Sequence, residues 1–445
     1  MRRKTFDLIL KNGKIVFDNK TEVSDIGIID SKIASVGNLS SYLSKKILDI
    51  SDLHVLPGCI DTQVHFREPG FTHKEDIKSG SKGAILGGIT GFFEMPNTHP
   101  PTINEIQFKK KILSAKKNSY CNFGFYIGAS KENAKDLRFL EKLSGCAGVK
   151  IFMGSSTGSL LVEDDENLEK IFSSCFKNIA VHSEDEYRLL ARKNIINKKS
   201  VSVNEHEIWR DSISAINSTK RLIKISKKLG RKIHILHIST EDEIQLIKKN
   251  KKLITAEVTP QHLFFNSPDC YNELGTLAQM NPPIRSKKHQ SGLWKGIHER
   301  VIDIIGSDHA PHTLSEKNKD YPLSPSGMVG VQTLVPVMLN FVNQNKLSIF
   351  DFVRLTSENP CKIFNIINKG KIKKNYDADF TIVDLNKTKI IENNWIVSKS
   401  GWTPYDGKKF KGWPSHTVIG GEIIMQEGEI LKKIDAKPFE FGVID

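Results

Sequence analysis

The middle of the chain carries eight short apolar runs, and stretches with helical spacing separate them. The runs lie at residues 59–66, 89–95, 122–128, 148–153, 179–182, 233–238, 254–258 and 301–306. The clearest helical stretches lie at 80–87, 132–143, 167–176, 212–229 and 241–249. A regular alternation of strand and helix is typical of parallel βα units. Eight such units favour a closed (β/α)8 TIM barrel over an open sheet.

Both ends of the chain differ from the middle, because they resemble short strands joined by turns. Strand-like patterns occur at 6–16, 25–29, 32–36, 378–383 and 418–424. Turn-forming pairs lie among them at Asn12-Gly13, Asp30-Ser31 and Gly420-Gly421. We therefore predict an α/β protein in which residues 58–370 form the barrel, while residues 1–57 and 371–445 together form a small β-sandwich domain. Two separate edge hairpins are the alternative.

The charge and cysteine content narrow the class of protein. The 445 residues include 65 lysines and arginines against 51 acidic residues, which gives a net charge of +14. The basic residues are scattered in pairs such as Lys227-Lys228, with no long basic arm, so we expect no nucleic-acid binding and a preference for anionic small-molecule substrates. The six cysteines form no CxxC pair, which is typical of free thiols in a reducing compartment.

The first residues, MRRKTFDLILKNGKIVFDN, lack the apolar block and the small-residue cleavage site of a signal peptide. No apolar run approaches the roughly 18 residues that a membrane span requires. We therefore predict a soluble, cytoplasmic protein without a membrane partner.

Polar side chains gather where the predicted barrel strands end, and in TIM barrels this edge carries the chemistry. These residues are Gln63, His65 and Arg67 after the first strand, Asn97 after the second, His182 after the fifth, His237 after the sixth, and Asp308, His309 and His312 after the eighth. A single buried histidine is more often a core residue than a metal ligand. Three histidines on separate strand ends, together with an aspartate, favour a metal site, and imidazole and carboxylate suit zinc.

Lys150 lies inside the fourth apolar run, where an ammonium is costly unless it is paired or modified. An ammonium cannot bind a metal. A lysine that has been carbamylated by CO₂ can, because it becomes a carboxylate that is able to bridge two cations. This modification would explain the presence of Lys150 among the histidines.

Several motifs resemble those of one family, and their joint order is more specific than any one of them. Residues 57–70, PGCIDTQVHFREPG, resemble the opening motif of the cyclic amidohydrolases. The motifs THKED at 72–76, EMPNT at 94–98, MNPPIR at 280–285 and GSDHAPH at 306–312 narrow the resemblance to dihydroorotases of the long, first-class type. The likeness extends to WTPYDG at 402–407, so it covers nearly the whole chain.

The resemblance implies a role for each residue of the site. Lys150 would be the carbamylated bridge, His182 and His237 would bind one zinc, and His65 and Asp308 would bind the other, with Asp308 also acting as general acid and base. The substrate carboxylate would be held by Arg67, Asn97 and His312. Asn281 would contact the ring, and Gly327 would help to bind the substrate. His309 would support the metal ligands. Simpler interpretations are a surface ion pair for Arg67, a turn or cap residue for Asn97 and Asn281, and an exposed loop residue for His312.

The chain departs from the family pattern at residue 63, where Gln63-Val64-His65 replaces His-x-His. A glutamine carbonyl is a neutral and weaker zinc ligand than imidazole. We therefore predict one tightly bound zinc and a weak second position. Some chains of this family have lost their ligands and serve as scaffolds for aspartate transcarbamoylase, but the retained Lys150, His182, His237 and Asp308 favour an active enzyme.

The activity that the resemblance implies is the reversible cyclisation of N-carbamoyl-L-aspartate to (S)-dihydroorotate in pyrimidine (UMP) biosynthesis. Hydantoinase or allantoinase is the alternative enzyme, but their neutral rings lack the carboxylate that Arg67 would bind. The resemblance also implies a homodimer or a complex with aspartate transcarbamoylase. Residues 313–327, which are charged and carry two prolines, are predicted to be a mobile loop over the site and not a helix.

Overall fold

A computed structural model describes residues 5–155 and 160–442, and two sheets organise this part of the chain. The first sheet is built from both chain ends and contains β1 (Phe6–Val16), β2 (Thr21–Ile29), β3 (Lys32–Gly37), β4 (Ser44–Asp49), β5 (His54–Pro57), β14 (Phe380–Ile390), β15 (Lys409–Ile419), β16 (Glu422–Gln426) and β17 (Glu429–Ile430). The second sheet contains β6 (Cys59–Val64), β7 (Ile89–Glu94), β8 (Asn122–Gly128), β9 (Cys146–Phe152), β10 (Ile179–His182), β11 (Ile233–Ile235), β12 (Ile254–Val258) and β13 (Ile304–Ile305).

The sheet from the chain ends has the order β17-β16-β15-β14-β5-β1-β2-β3, and β4 pairs with the first half of β1 outside this order. The two termini meet where β5 pairs with β14, so they form one domain and not two separate hairpins. Leu10, Ile26, Val55, Phe380 and Val418 share one buried cluster, so this sheet encloses a core of its own. The predicted β domain from both termini is confirmed, and hydrogen bonds connect its strands in a single, mainly antiparallel sheet.

The eight strands of the second sheet are parallel and lie side by side in sequence order. A parallel bridge between Val64 and His309 brings the chain beyond β13 against β6, and the His65 amide donates to the His309 carbonyl at 2.7 Å. This contact closes the ring, and all residues of β6, β7, β9 and β10 are buried. The predicted TIM barrel is confirmed. Strands that are buried on both faces are continuous apolar runs in the sequence, which is why these runs predicted the strands.

Fifteen α-helices lie within the described residues: α1 (Ile77–Leu86), α2 (Glu105–Asn118), α3 (Leu137–Leu140), α4 (Asp165–Ser174), α5 (Glu186–Ala191), α6 (Glu205–Trp209), α7 (Ser212–Leu229), α8 (Glu241–Lys248), α9 (Pro260–Phe264), α10 (Asp269–Leu274), α11 (Lys287–His298), α12 (Leu314–Lys317), α13 (Leu334–Asn343), α14 (Ile349–Val353) and α15 (Asn359–Ile363). The helix predicted at 212–229 is confirmed as α7. The Asp211 side chain caps its first turn, and Gly230 ends it in the left-handed conformation at φ 65°.

Two local predictions from the sequence are wrong. The helix predicted at 132–143 is reduced to α3, because the Asn133 side chain donates to the carbonyls of Ile103 and Gly128 and accepts from the Ser130 amide, which holds the preceding residues in turns. Asn12-Gly13 is not a turn between strands. It lies within β1, where Asn12 has a φ of 61° and the pairing with β2 shifts register.

The segment 313–327 contains the one-turn helix α12, so the expectation of a loop without helix is also wrong. Thr313 and Glu316 form a capping box at its start. Lys317 ends it in a buried position, where its Nζ donates to the carbonyls of Gln279 at 3.0 Å and Pro325 at 2.9 Å.

The domain division at 57/58 and 370/371 stays a prediction. No helix in the described ranges combines the length and the apolar character needed to cross a membrane.

Candidate active site

A polar pocket lies at the carboxyl ends of the barrel strands. Its lining brings together Gln63, His65, Arg67, Asn97, Lys150, Phe152, His182, His237, Asn281, Asp308, Ala310, Ser326 and Gly327. Nine of the ten residues that were predicted for the site therefore share one pocket. The tenth, His312, lies behind Arg67 and outside this lining.

One half of the pocket is formed by His182 at the end of β10 and His237 just after β11. Nδ1 of His182 lies 3.0 Å from Nε2 of His237, and both side chains are buried. Lys150, from the neighbouring β9, is fully buried, and its Nζ has no hydrogen-bond partner among the described residues. Burial lowers the pKa of Lys150 to about 7.

The other half is formed by His65 after β6 and Asp308 after β13. Nδ1 of His65 lies 2.8 Å from Oδ1 of Asn97, while its Nε2 faces Oδ1 of Asp308 at 3.2 Å. The Gln63 amide donates from Nε2 to the same oxygen at 3.0 Å. Burial raises the pKa of Asp308 to about 7.

A zinc ion in a protein is held by three or four protein ligands. Within residues 5–155 and 160–442, no three histidine, cysteine or acidic side chains are grouped as the ligands of one ion. The two pairs, His182 with His237 and His65 with Asp308, would each gain a third ligand if Lys150 were carbamylated. Its buried and unpartnered Nζ fits that modification, so the residues present fit a zinc site in this form.

Arg67 is the cation of the pocket, and only 2% of its surface is exposed. Its Nε donates to the Pro311 carbonyl at 3.2 Å, whereas its Nη1 has no partner and no described carboxylate forms an ion pair with it. Burial lowers the pKa of Arg67 to about 10. The simpler interpretation as a surface ion pair is therefore wrong.

His312 is buried against Arg67, so the interpretation as an exposed loop residue is also wrong. Its Nδ1 accepts from the Lys74 ammonium at 3.0 Å, and its Nε2 lies 3.1 Å from the Ser326 carbonyl and 3.3 Å from Nη2 of Arg67. Gly327 follows with a φ of 149°, and a Cβ there would lie 2.3 Å from the Ala310 carbonyl oxygen. Only glycine fits this position without displacing the backbone.

Three residues of the pocket have strained backbones. Arg67, His237 and Asp308 have φ angles of 62°, 35° and 44°. Residues other than glycine rarely adopt these positive φ angles, and those that do cluster at functional sites, where the surrounding structure holds them in place.

Several residues that support the site were not predicted from the sequence. Glu184 contacts His182, Arg210 contacts Glu184, and His206 contacts Asn281. Glu184 stands two residues after a strand-end histidine, so the rule that selected the other polar residues could have included it. His206 and Arg210 lie in and after the short helix α6, and no pattern in the sequence marks them.

The pocket is small, with a cavity of about 20 Å³, which is room for about one water molecule. A ring-sized substrate therefore requires an opening, and Ser326 and Gly327 of the segment 313–327 line the pocket. The mobility of this segment stays a prediction. A larger cavity of about 620 Å³ lies at the other end of the barrel, where Lys369 is paired with Asp377 and Asp379.

Comparisons with known proteins agree with this geometry. Residues 54–424 match the amidohydrolase family. The chain is 36% identical to a dihydroorotase of Methanosarcina mazei, with 97% of this chain and 96% of the relative covered. It is 35% identical to a dihydroorotase of Pyrococcus furiosus, with 96% and 94% covered. The solved structure of L-hydantoinase from Arthrobacter aurescens has a TM-score of 0.93 at 28% identity, with 97% of this chain and 99% of that chain covered.

Proposed function

The chain belongs to the amidohydrolase family, and on that premise we propose that it interconverts N-carbamoyl-L-aspartate and (S)-dihydroorotate. This reaction opens or closes a cyclic amide that carries a carboxylate. The two dihydroorotases described above match nearly the full length of the chain at 35 and 36% identity.

The observation that carries the proposal is the buried Arg67. A guanidinium that is removed from water without an anionic partner is costly, and its Nη1 is free to donate. A substrate carboxylate would supply the missing acceptor through charge-assisted hydrogen bonds. His312, at 3.3 Å from Nη2, holds the guanidinium from behind, while Asn97 and the Gly327 backbone face the same pocket.

Zinc is the metal that we propose for this pocket. His182, His237 and carbamylated Lys150 would hold one ion, and His65, Asp308 and the same Lys150 would hold a second, weaker one because Gln63 replaces a histidine. When bound, zinc would polarise the ring carbonyl and lower the pKa of water.

Asp308 is the proposed general acid and base. In the hydrolytic direction its carboxylate accepts a proton from the attacking water and returns it to the ring nitrogen as the C–N bond breaks. The Gln63 amide at 3.0 Å orients Oδ1, and Asn281, which also lines the pocket, would contact the ring.

The second candidate is a hydantoinase, which the structural likeness to L-hydantoinase favours. That substrate class is neutral at the place where Arg67 needs an anion, so the geometry supports dihydroorotate better. An inactive scaffold for aspartate transcarbamoylase is the third candidate. A scaffold would have no need for a pocket that retains Lys150, both histidines and Asp308.

Location and assembly belong to the same proposal. All six cysteines are free and buried, which supports a reducing, cytoplasmic location. A homodimer or a complex with aspartate transcarbamoylase would suit a step of pyrimidine synthesis.

Substrate comparison tests this function. Purified protein supplied with zinc should hydrolyse dihydroorotate with a kcat/KM at least tenfold above that for hydantoin, dihydrouracil or allantoin. A preference for a neutral ring would overturn the assignment in favour of the second candidate.

A further inference from the structure

Glu184 is a fully buried carboxylate directly beside the proposed ligand His182. Its Oε2 lies 2.9 Å from Nε2 of His182, and neither side chain is more than 2% exposed. The other ring nitrogen of His182, Nδ1, is the atom that faces His237. The carboxylate therefore stands on the side of the ring that points away from the pocket.

Arg210 holds this carboxylate with a two-pronged contact. Its Nη2 lies 2.6 Å from Oε2 of Glu184, and its Nε lies 3.1 Å from Oε1. Arg210 also donates to the Ser155 carbonyl at 2.8 Å. This planar geometry fixes both oxygens of the carboxylate, which a lysine could not do.

The backbone is built to admit this arrangement. A Cβ on Gly154 would lie 2.8 Å from Cβ of Glu184, so a larger residue after β9 would displace the carboxylate. On the other side, Nη1 of Arg285 donates to the Arg210 carbonyl at 2.9 Å. The contacts therefore tie the loops after β9 and β10 to the loop that carries Asn281.

We propose that Glu184 is a positioning residue that selects the tautomer of His182, an inference that rests on the metal centre of the proposed function. A carboxylate has only acceptors, so it requires a proton on Nε2 of His182. The lone pair is then left on Nδ1, which faces His237. A hydrogen bond from the far nitrogen of a ligating histidine to a carboxylate fixes the orientation of the ring and raises its basicity.

The variants Glu184→Gln and Glu184→Met separate this role from simple packing. In the wild type, Oε2 of Glu184 faces both Nη2 of Arg210 and Nε2 of His182. Arg210 can only donate, so the glutamine keeps its oxygen at this position and remains an acceptor for the His182 proton. The methionine has a similar size but offers His182 no strong acceptor, so it no longer holds the ring proton on Nε2.

Two measurements on purified protein follow. The first is zinc affinity by competition with a chromophoric chelator, where Glu184→Met should bind zinc 10- to 100-fold more weakly. The second is the ¹⁵N spectrum of the histidine rings in metal-free protein, assigned with His182→Asn. The unprotonated nitrogen of His182 should be Nδ1 in the wild type and in Glu184→Gln, whereas Glu184→Met should also populate the tautomer with an unprotonated Nε2.

Glu243→Met is the matched control, since Glu243 is a buried carboxylate that accepts from Thr219 and Thr240 and touches no histidine. It should keep the zinc affinity and the His182 tautomer of the wild type. If Glu184→Met does not fold, Glu184→Asp and Arg210→Lys replace it. The aspartate should keep the wild-type tautomer, and the lysine should weaken zinc binding.

The role of Glu184 is overturned if Glu184→Met retains both the wild-type zinc affinity and the wild-type tautomer, or if Glu243→Met loses zinc equally. In the replacement series, a changed tautomer in the aspartate variant or unchanged zinc affinity in the lysine variant overturns it. A wild type that binds no zinc would overturn the proposed metal centre instead, and the tautomer spectrum of the metal-free protein would still decide the role of Glu184.

Discussion

The side-chain amide of Gln63 donates from Nε2 to Oδ1 of Asp308 at 3.0 Å, across the first and last strands of the barrel. The same oxygen faces Nε2 of His65 at 3.2 Å. The other end of the amide, Oε1, is buried and has no hydrogen-bond partner among the described residues. Gln63 therefore presents a donor to Asp308 where a histidine would offer a lone pair to a metal.

From this relationship we predict about one tightly held zinc per chain and an activity that rises with excess divalent metal. Gln63→His should raise the occupancy of the second position, because imidazole is a better zinc ligand than an amide. Metal content during chelator titration measures the number of tightly held zincs and the occupancy of the second position. Two tight zincs in the wild type, removed together by the chelator, would contradict this interpretation.

Lys150→Ala should abolish both activity and stoichiometric zinc binding, because a methyl group cannot replace a bridging carboxylate. Lys317→Met is the matched control. Lys317 is also buried with a pKa lowered to about 7, but its ammonium is held by backbone carbonyls outside the pocket lining. Zinc content should be lost in the first variant and retained in the second. Near-normal zinc in Lys150→Ala would show a purely structural lysine.

Arg67→Lys should lower kcat/KM for dihydroorotate roughly ten- to a hundredfold, or about 1.5–3 kcal/mol, with little change in the unfolding midpoint. Lysine keeps the charge but loses the fork that matches a carboxylate. Arg188→Lys is the control, since it breaks a two-pronged contact to Asp211 away from the pocket lining. An unchanged kcat/KM in Arg67→Lys would place the carboxylate elsewhere.

Asp61, inside the barrel, predicts a pH dependence of stability. Burial raises its pKa from 3.8 to about 7, so the folded chain keeps a proton that the unfolded chain loses. This group therefore stabilises the fold below about pH 4, and its contribution falls as pH rises to 7, by about 1.4 kcal/mol per unit. Asp61→Asn removes the titration while keeping an acceptor for the Ser307 amide.

Urea unfolding of Asp61→Asn and wild type at pH 5 and pH 8 measures the effect. Relative to the wild type, the variant should be more stable at pH 8 than at pH 5. If the variant and the wild type differ in free energy of unfolding by the same amount at pH 5 and pH 8, Asp61 has no raised pKa.

The barrel could be predicted because its signals are local. A strand buried on both faces is apolar throughout, as in the fully buried β7, and helix α7 carries its own caps in Asp211 and Gly230. Helix α2 was not predicted, because its lysine-rich sequence buries only Phe108, Lys111 and Ala115 and so lacks a clear apolar stripe. Its position is set by contacts with the rest of the fold.

The proposed ligands could also be predicted, since histidines and an acid at strand ends form a visible pattern. The residues that hold these ligands in place could not be predicted. Glu184 and Arg210 are 26 residues apart, and only the fold brings them together. The donor that Gln63 offers to Asp308 likewise depends on a contact across 245 residues of sequence.

The central claim is that this pocket is an active, zinc-dependent site for dihydroorotate. Its most direct test is the initial rate of dihydroorotate hydrolysis by purified protein, with zinc per chain counted in the same samples before and after metal is added. The proposal predicts measurable turnover with about one zinc and a higher rate with excess metal. Protein that holds no zinc and hydrolyses no dihydroorotate even with added metal would contradict it.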